Sequence, residues 1–269
     1  MLLEALTICV NYGDFLAVAA EQNRALFDRW LVVTTPEDEE TREVCRHFNL
    51  DTLITREGIT PGREFNKGLL VERGLQQLST EGWHWHLDAD VILPAHTRQA
   101  LQVAHLDPEV IYGFDRVMVR SWDEWCRLRD SGYLQRQWRA TYELHFPPGF
   151  DLGTRWIVPH SGWVPIGFSQ MWHGSAEHWR GTRVKGYPTN HTSSSHTDVR
   201  HSLQWDRRRR ALLPEIITVH LESEPCPVGS NWQGRNTQRF GPPTLAAPPR
   251  ENSRPDGAGS GPGDPNVSM

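Results

Sequence analysis

Short apolar runs alternate with amphipathic stretches along the first half of the chain. The apolar runs predict buried strands at residues 6–10, 30–34, 52–55, 82–94 and 110–114. Apolar residues three or four positions apart predict helices between them, over 14–26, 35–48 and 66–78. Because strand and helix alternate repeatedly, we predict an α/β protein with a mostly parallel central sheet, right-handed crossovers and helices on both faces.

Two of the helix starts carry capping residues. Asp14 is the predicted N-cap of the first helix. The second helix is predicted to start at Thr35, with Pro36 at the first helical position and Glu37 and Asp38 in the first turn.

The second half is less regular. A helical stretch rich in tryptophan and arginine follows residue 120, and residues 162–174 are predicted to be extended. A polar loop is expected over 181–197, and Asp198 is predicted to precede a helix that includes the arginine run 207–210. A late strand is predicted at 216–221.

The last residues differ from the rest in composition. Pro, Gly, Ser and Asn dominate 241–269, which predicts a disordered tail. We therefore predict one domain over 1–240, made of two halves, 1–118 and 119–240.

Two aspartates follow the apolar part of the fourth predicted strand. Asp88 and Asp90 stand one residue apart, after Leu87. A divalent cation relieves the repulsion between such neighbours, and oxygen ligands on a short tether suit Mg²⁺ or Mn²⁺. A solvated acidic loop is the other interpretation of this tripeptide.

In open α/β sheets, ligands bind beyond the carboxyl ends of the strands. Several polar residues are predicted to emerge at that edge, and their convergence favours a binding site over a solvated loop: Asn11, Tyr12, Thr35, Arg56, Asp88 and Asp90.

Composition narrows the class of protein. A net charge of −5 argues against a protein specialised for binding nucleic-acid phosphates. The four cysteines form no C-x-x-C pair, which fits a reducing compartment and disfavours a thiolate zinc site. No apolar run reaches the roughly 20 residues of a membrane span and the first residues lack a cationic signal, so we expect a cytoplasmic protein.

Three stretches in this order resemble the nucleotide-sugar glycosyltransferases of the GT-A fold, especially the inverting enzymes called family two. They are Thr7–Tyr12, Asn66–Gly68 and Trp85–Asp90, and the resemblance extends over about residues 5–222. It implies a Rossmann-like GT-A domain in which 1–118 binds the donor and 119–240 binds the acceptor. The implied reaction is sugar transfer from a UDP- or GDP-linked donor to a hydroxyl acceptor, with inversion and with Mn²⁺ or Mg²⁺.

The resemblance also assigns roles to residues. Asp88 would face the nucleotide and share the cation with Asp90 and His220, while Asp198 would be the base that activates the acceptor hydroxyl.

Other assignments do not depend on the resemblance. Arg63 and Lys67 are cations that could neutralise a leaving diphosphate. Together with residues of the sheet edge they complete the set expected to bind the donor: Asn11, Tyr12, Thr35, Arg56, Arg63, Lys67 and Asp88. An acceptor sugar needs a flat apolar platform, for which Trp172 and His173 are expected.

The chain departs from the family pattern at two places. Thr34–Asp38 stands where the family often has an Asp-Gly-Ser-like stretch, which affects the contacts to the base and ribose. Thr197-Asp198 stands where Glu-Asp is usual, which affects the assignment of the base.

Two other classes of function remain open. His84, His86 and Asp88 resemble the metal cluster of metallo-β-lactamase-like hydrolases, although Ala89 replaces the histidine that should follow. A module that binds carbohydrate or nucleic acid through its tryptophans and the arginines at 207–210 is the non-enzymatic alternative. These arginines would also suit a modified DNA base as the acceptor of a transferase.

Overall fold

The structure is a computed structural model, and it describes residues 1–59, 65–135, 146–179, 182–183, 185–190, 194–225 and 237–242. The helices are α1 (Gly13–Asn23), α2 (Glu39–Phe48), α3 (Lys67–Leu75), α4 (Thr97–Val103), α5 (Trp122–Asp130) and α6 (Ser194–Ser202). The strands are β1 (Leu3–Ile8), β2 (Arg29–Thr34), β3 (Asp51–Ile54), β4 (Trp83–Leu87), β5 (Val91–Ile92), β6 (Ile111–Val119), β7 (Ile157–Val158), β8 (Gly162–Trp163), β9 (Ser169–His173), β10 (His178–Trp179), β11 (Thr182–Arg183) and β12 (Arg210–Leu221).

Eight of these strands form the central sheet, in the order β3-β2-β1-β4-β9-β6-β12-β5. All of them run in one direction except β9 and β5, which are antiparallel to their neighbours. The short pairs β7–β8 and β10–β11 lie outside this sheet. The predicted fold class, an α/β protein with a mostly parallel central sheet covered by helices, is confirmed.

The central strands are buried on both faces because side chains alternate between two apolar clusters. Trp83 and Trp85 of β4 pack in the cluster that includes residues of α1 and α5. Leu6 and Ile8 of β1 pack in the other cluster, against α3. All five residues of β4 are buried, so even its histidines are inside the protein.

The two predicted helix caps are wrong by a few residues. Asp38, rather than Thr35, is the N-cap of α2, because its Oδ1 accepts a hydrogen bond of 3.1 Å from the Thr41 amide. Asp14 lies inside α1, and its carboxylate accepts a hydrogen bond from the amide of Phe240.

Two predictions for the second half of the chain are also wrong. Asp198 lies within α6 rather than before a helix, and α6 begins inside the stretch predicted as a loop. Arg207–Arg209 form a 3₁₀ turn and Arg210 begins β12, so the arginine run is not helical. The Arg210 guanidinium donates to the carbonyls of Trp205 and Ser161, which fixes the chain as it enters the strand.

The end of the described chain packs on α1 and α2. Phe240 is buried and stacks on Phe15, with ring centroids 4.8 Å apart, and Arg239 forms an ion pair with Glu40. Of the predicted tail, only 241–242 lie within the described residues. The division into one domain stays a prediction. Within the described residues, no helix is long and apolar enough to cross a membrane.

Replacing Gly68 of α3 with alanine is expected to destabilise the protein. The new Cβ would lie 1.8 Å from the Pro188 carbonyl oxygen, so the backbone must move. Alanine gains about 1 kcal/mol in helix propensity, but overpacking of this kind costs about 1–3 kcal/mol and direct contact with backbone lies at the upper end. We expect a lower free energy of unfolding in urea for Gly68→Ala. Gly241→Ala, where nothing lies within 4 Å, is the control, and equal values for the two variants would contradict this packing.

Candidate active site

A cleft of about 870 Å³ opens at the edge of the sheet where β4 ends. Six of the residues singled out in the sequence line it: Tyr12, Lys67, Asp88, Asp90, Asp198 and His220. They come from both halves of the chain. Tyr12 follows β1, and Asp88 and Asp90 follow β4, so the parallel pairing of these two strands brings the three residues to one edge.

The loop that carries the two aspartates is fixed by backbone hydrogen bonds. The Asp88 amide donates to the Phe168 carbonyl over 3.0 Å, and the Leu221 amide donates to the Asp90 carbonyl over 2.8 Å. The loop is therefore attached to the segment before β9 on one side and to the end of β12 on the other. Such attachment holds both carboxylates in place before any ligand binds.

Lys67 forms the central ion pair of the cleft. Its Nζ lies 2.9 Å from Asp88 Oδ1 and 3.0 Å from Asp198 Oδ2, and its side chain is 2% exposed. Burial alone would lower the pKa of Lys67, but Asp198 and Asp88 outweigh burial and raise that pKa above its usual value. The lysine thus stays charged and joins α3, the aspartate loop and α6.

Asp198 is buried at the base of the cleft. Its Oδ1 accepts a hydrogen bond from the Tyr187 hydroxyl, and Oδ2 accepts from Lys67. Burial raises the pKa of Asp198 above its ordinary value, because the opposing charge of Lys67 only partly offsets it. A carboxylate with a raised pKa is a better proton acceptor near neutral pH.

Gly167 gives the Asp198 carboxylate its space. A Cβ at Gly167 would lie 1.5 Å from Asp198 Oδ2. The carboxylate therefore lies directly against the backbone of a residue that lines the cleft, and only glycine leaves room for it.

Behind Asp198 lies a histidine that is neutral. The Tyr187 hydroxyl is 3.2 Å from His86 Nδ1, and it donates its own proton to Asp198. His86 Nδ1 must then donate to the hydroxyl oxygen. Burial lowers the pKa of His86 well below its usual value, which agrees with a neutral ring. The three side chains form a chain of hydrogen bonds that ends on Asp198.

A second group of side chains surrounds Asp90. His220 Nε2 lies 3.7 Å from Asp90 Oδ1, and His220 Nδ1 lies 3.7 Å from Glu222 Oε1. Asp90 Oδ1 and His220 Nδ1 are both buried, and neither has a hydrogen-bond partner among the described residues. Buried polar atoms without partners are costly and call for an explanation.

Burial shifts the pKa values of both side chains of this pair. Burial raises the pKa of Asp90 to about 8, with the charge of Asp88 adding to the effect. Burial lowers the pKa of His220 to about 3, so its ring is neutral and has a free lone pair. A divalent ion would stabilise the ionised Asp90 carboxylate and use the His220 lone pair.

Two protein ligands are few for a metal site. Within the described residues, no group of three or more His, Cys, Asp or Glu is arranged to hold a metal ion. Mg²⁺ is commonly bound by only one or two carboxylates together with substrate phosphates and waters. The separation of 3.7 Å suits two ligands of one ion, which lie about 3–4 Å apart when each bond is about 2.1 Å. Asp90 and His220 therefore fit a cation that is completed by a substrate.

Other residues expected to bind a donor lie away from the cleft wall. Asn11 is exposed and adopts a φ of 59°, and its backbone N–H donates a hydrogen bond of 2.6 Å to Asp38 Oδ2. Thr35 is buried in the turn before α2, and Arg56 is exposed and paired with Glu37. Arg63 lies outside the described residues.

The expected acceptor platform is at the opposite edge of the sheet. Because β9 is antiparallel to β4, His173 pairs with Trp83 at the start of β4, far from the aspartates at its end. Trp172 is fully buried and donates its indole N–H to Glu177. Neither residue lines the cleft. Trp156, which sequence reasoning did not single out, is 54% exposed and lines it.

The hydrolase cluster is not formed. His84 Nδ1 lies 3.2 Å from Glu177 and its Nε2 lies 2.8 Å from the Ser79 carbonyl, so both nitrogens are occupied away from His86. Two arginines of the run 207–210 bind the protein itself, since Arg209 pairs with Asp107 and Glu109 and Arg210 donates to backbone carbonyls. The structure thus gives no support to a DNA acceptor.

Tyr187, Arg116 and Glu222 belong to the cleft region but were missed in the sequence. Tyr187 stands between Gly186 and Pro188 with no motif around it, and only the packing of α3 on α6 brings it to Asp198. Met118 of β6 pairs with His220 of β12. If the full length of both strands had been predicted, this register would have indicated that Arg116 and Glu222 lie near His220.

Several solved structures resemble this chain, although no protein-family profile and no curated protein matches it. Glucosyl-3-phosphoglycerate synthase from Mycobacterium tuberculosis, in complex with uridine-diphosphate, is 11% identical over 84% of this chain and 73% of that one, with a TM-score of 0.45. The same enzyme with Mn²⁺, UDP-glucose and phosphoglyceric acid is 12% identical over 81% and 71%, with a TM-score of 0.45. Mannosyl-3-phosphoglycerate synthase from Rubrobacter xylanophilus is 18% identical over 45% of this chain and only 41% of that one, with a TM-score of 0.33. All three TM-scores are below 0.5.

Removing the charge of Lys67 is expected to destabilise the protein strongly. Lys67→Met leaves Asp88 and Asp198 without their cation, and breaking a buried ion pair costs about 3–5 kcal/mol. Without the lysine, the folded-state pKa of Asp198 rises further above its unfolded value. A carboxyl group whose pKa is raised in the folded state stabilises the protein at low pH, and this stabilisation is lost as pH rises. The decrease in the free energy of unfolding caused by Lys67→Met should therefore be larger at pH 8 than at pH 5.

Urea unfolding at both pH values measures this effect. Arg73→Met is the control: it is on the same helix as Lys67, it breaks an exposed ion pair with Glu57, and it should cost less than about 1 kcal/mol. A loss in Lys67→Met as small as that in the control, or one that does not depend on pH, would contradict the ion pair.

Proposed function

We propose that the protein transfers a sugar from a nucleoside-diphosphate sugar to a hydroxyl acceptor, with Mn²⁺ or Mg²⁺ as cofactor. This is the activity implied by the resemblance to GT-A glycosyltransferases. The observation that carries the proposal is the buried Asp90 Oδ1, which has no hydrogen-bond partner among the described residues and lies 3.7 Å from His220 Nε2, in the cleft that also contains Lys67 and Asp88.

Asp90 and His220 would hold the cation, and Asp88 would face the nucleotide. The cation, when bound, neutralises the charge that develops on the leaving diphosphate. Lys67 adds a fixed positive charge beside Asp88, 2.9 Å from its carboxylate, without any reorganisation during the reaction. Tyr12 lines the donor side of the cleft, where its ring stacks on Phe15 with centroids 4.8 Å apart. The outer face of such a ring suits a nucleobase.

Asp198 would act as the base on the acceptor hydroxyl, in an inverting reaction. Its raised pKa favours taking up a proton, and Asp198 lines the cleft with its Oδ2 packed against Gly167. Tyr187 holds Oδ1, so the proton would be accepted at Oδ2, the atom that Lys67 contacts. The acceptor proposed is a carbohydrate or other hydroxyl compound.

Nucleotide binding should depend on the metal and on Asp90. We expect UDP or GDP to bind the protein by calorimetry with Mn²⁺ at least tenfold more tightly than without metal, since the ion links the carboxylate to the phosphates. In Asp90→Asn the metal-dependent part of the affinity should be lost. Asp151→Asn, which changes another acidic residue of the same cleft, should leave it within about twofold.

Two results would overturn the proposal. One is that neither UDP nor GDP binds the wild-type protein under any metal. The other is that Asp90→Asn and Asp151→Asn behave alike, which would remove Asp90 from the metal site.

A further inference from the structure

The cleft contains an arginine that has no carboxylate partner. Arg116 of β6 lines the cleft and is half-buried, and its guanidinium forms no ion pair with a described residue. Its neighbour in sequence, Asp115, is fully used by Arg155, at 2.7 and 2.6 Å. A partly buried guanidinium without a counter-ion is costly, because burial removes water that nothing replaces.

The side chain of Arg116 is nevertheless held in one position. Its guanidinium carbon lies 4.5 Å from the centre of the Phe168 ring, and Nε lies 3.1 Å from Met118 Sδ. Gly153 covers the other side, donating its amide to the Arg116 carbonyl over 2.8 Å. A Cβ at Gly153 would lie 3.1 Å from Arg116 Cγ and 3.2 Å from Nε, so only glycine lets the segment pack this closely.

Three acidic side chains face Arg116, but none of them forms an ion pair with it. Glu222, Asp90 and Asp88 are the acidic groups that act on it through space, yet none of them lies within 4.0 Å of it. Burial lowers the pKa of Arg116, but a guanidinium remains protonated in proteins. The arginine is therefore a fixed cation with free N–H donors beside the proposed reaction site.

We propose that Arg116 binds a phosphate or carboxylate group carried by the acceptor. The proposal rests on the proposed function and names the class of acceptor. The guanidinium fork binds two oxygens of such a group at once. Arg116 is surrounded by Gly153 and Phe168 of the second half, whereas Tyr12 and Lys67 of the first half line the donor side.

One further arginine of the cleft is separated from this site. Arg120 also lines the cleft, on the continuation of β6. Four residues of extended chain place the Arg120 backbone about 13 Å from that of Arg116, and Arg120 is exposed whereas Arg116 is half-buried. Arg120 is therefore a matched control, an exposed arginine of the same wall.

The test is calorimetric titration of inorganic phosphate into the protein saturated with UDP and Mn²⁺. Phosphate should bind the wild-type protein. Arg116→Gln should lower the affinity for phosphate at least tenfold, while the affinity for UDP stays within about twofold. Gly153→Ala, which displaces the guanidinium without removing it, should weaken phosphate binding less than Arg116→Gln does. Arg120→Gln should leave it within about twofold. Thermal unfolding of each variant checks that it is folded.

The alternative source of the anion is the donor's own diphosphate. If phosphate competes with UDP and Arg116→Gln lowers UDP affinity tenfold, Arg116 belongs to the donor site and the proposal is wrong. If UDP does not bind at all, the proposed function fails, and phosphate is titrated into the protein without nucleotide. Binding that is lost in Arg116→Gln then still supports the anion site, while no binding to the wild-type protein overturns it.

Discussion

The ammonium group of Lys67, buried between Asp88 and Asp198, connects the two halves of this protein. Asp88 follows β4 in the first half, and Asp198 lies in α6 of the second. The Asp198 carboxylate could not be buried in this way without the cation, because an uncompensated charge in the interior costs several kcal/mol. The same contact places the proposed base beside the proposed donor site. One interaction thus serves both stability and the geometry of the cleft.

The reversal of β9 determines what surrounds that ion pair. Because β9 runs antiparallel between β4 and β6, its first residues meet the last residues of β4. Phe168 and Gly167, directly before β9, are therefore brought to the aspartates, where one supports Arg116 and the other leaves room for Asp198. The same reversal carries Trp172 to the other edge. The cleft has a donor wall from parallel strands and a second wall that depends on this strand.

The strands and helices with a regular pattern of apolar residues were predicted well. The apolar runs of β1, β2 and β4 and the stripes of α1 and α3 have strong periodicity, and burial on both faces enforces it. The carboxyl-edge argument also brought Tyr12, Asp88 and Asp90 to one cleft, but Asn11, Thr35 and Arg56 of the same set do not line it. The cap of α2 was wrong because several residues near its start could have capped it. The cap of α1 was wrong because Asp14 lies inside the helix and binds the amide of Phe240, a contact with a distant part of the chain. The residues of β9 do not indicate whether the strand runs parallel or antiparallel to its neighbours, so the position of Trp172 could not be predicted. Tyr187 is brought to Asp198 by tertiary packing alone.

The central claim is that Asp90 and His220 hold a divalent cation that completes the donor site. The most direct measurement is anomalous diffraction from crystals of the protein grown with Mn²⁺ and UDP. The account predicts one anomalous peak between the Asp90 carboxylate and the His220 ring, in contact with the diphosphate. A peak at His84 and His86, or nucleotide bound in the cleft with no metal near Asp90, would contradict it.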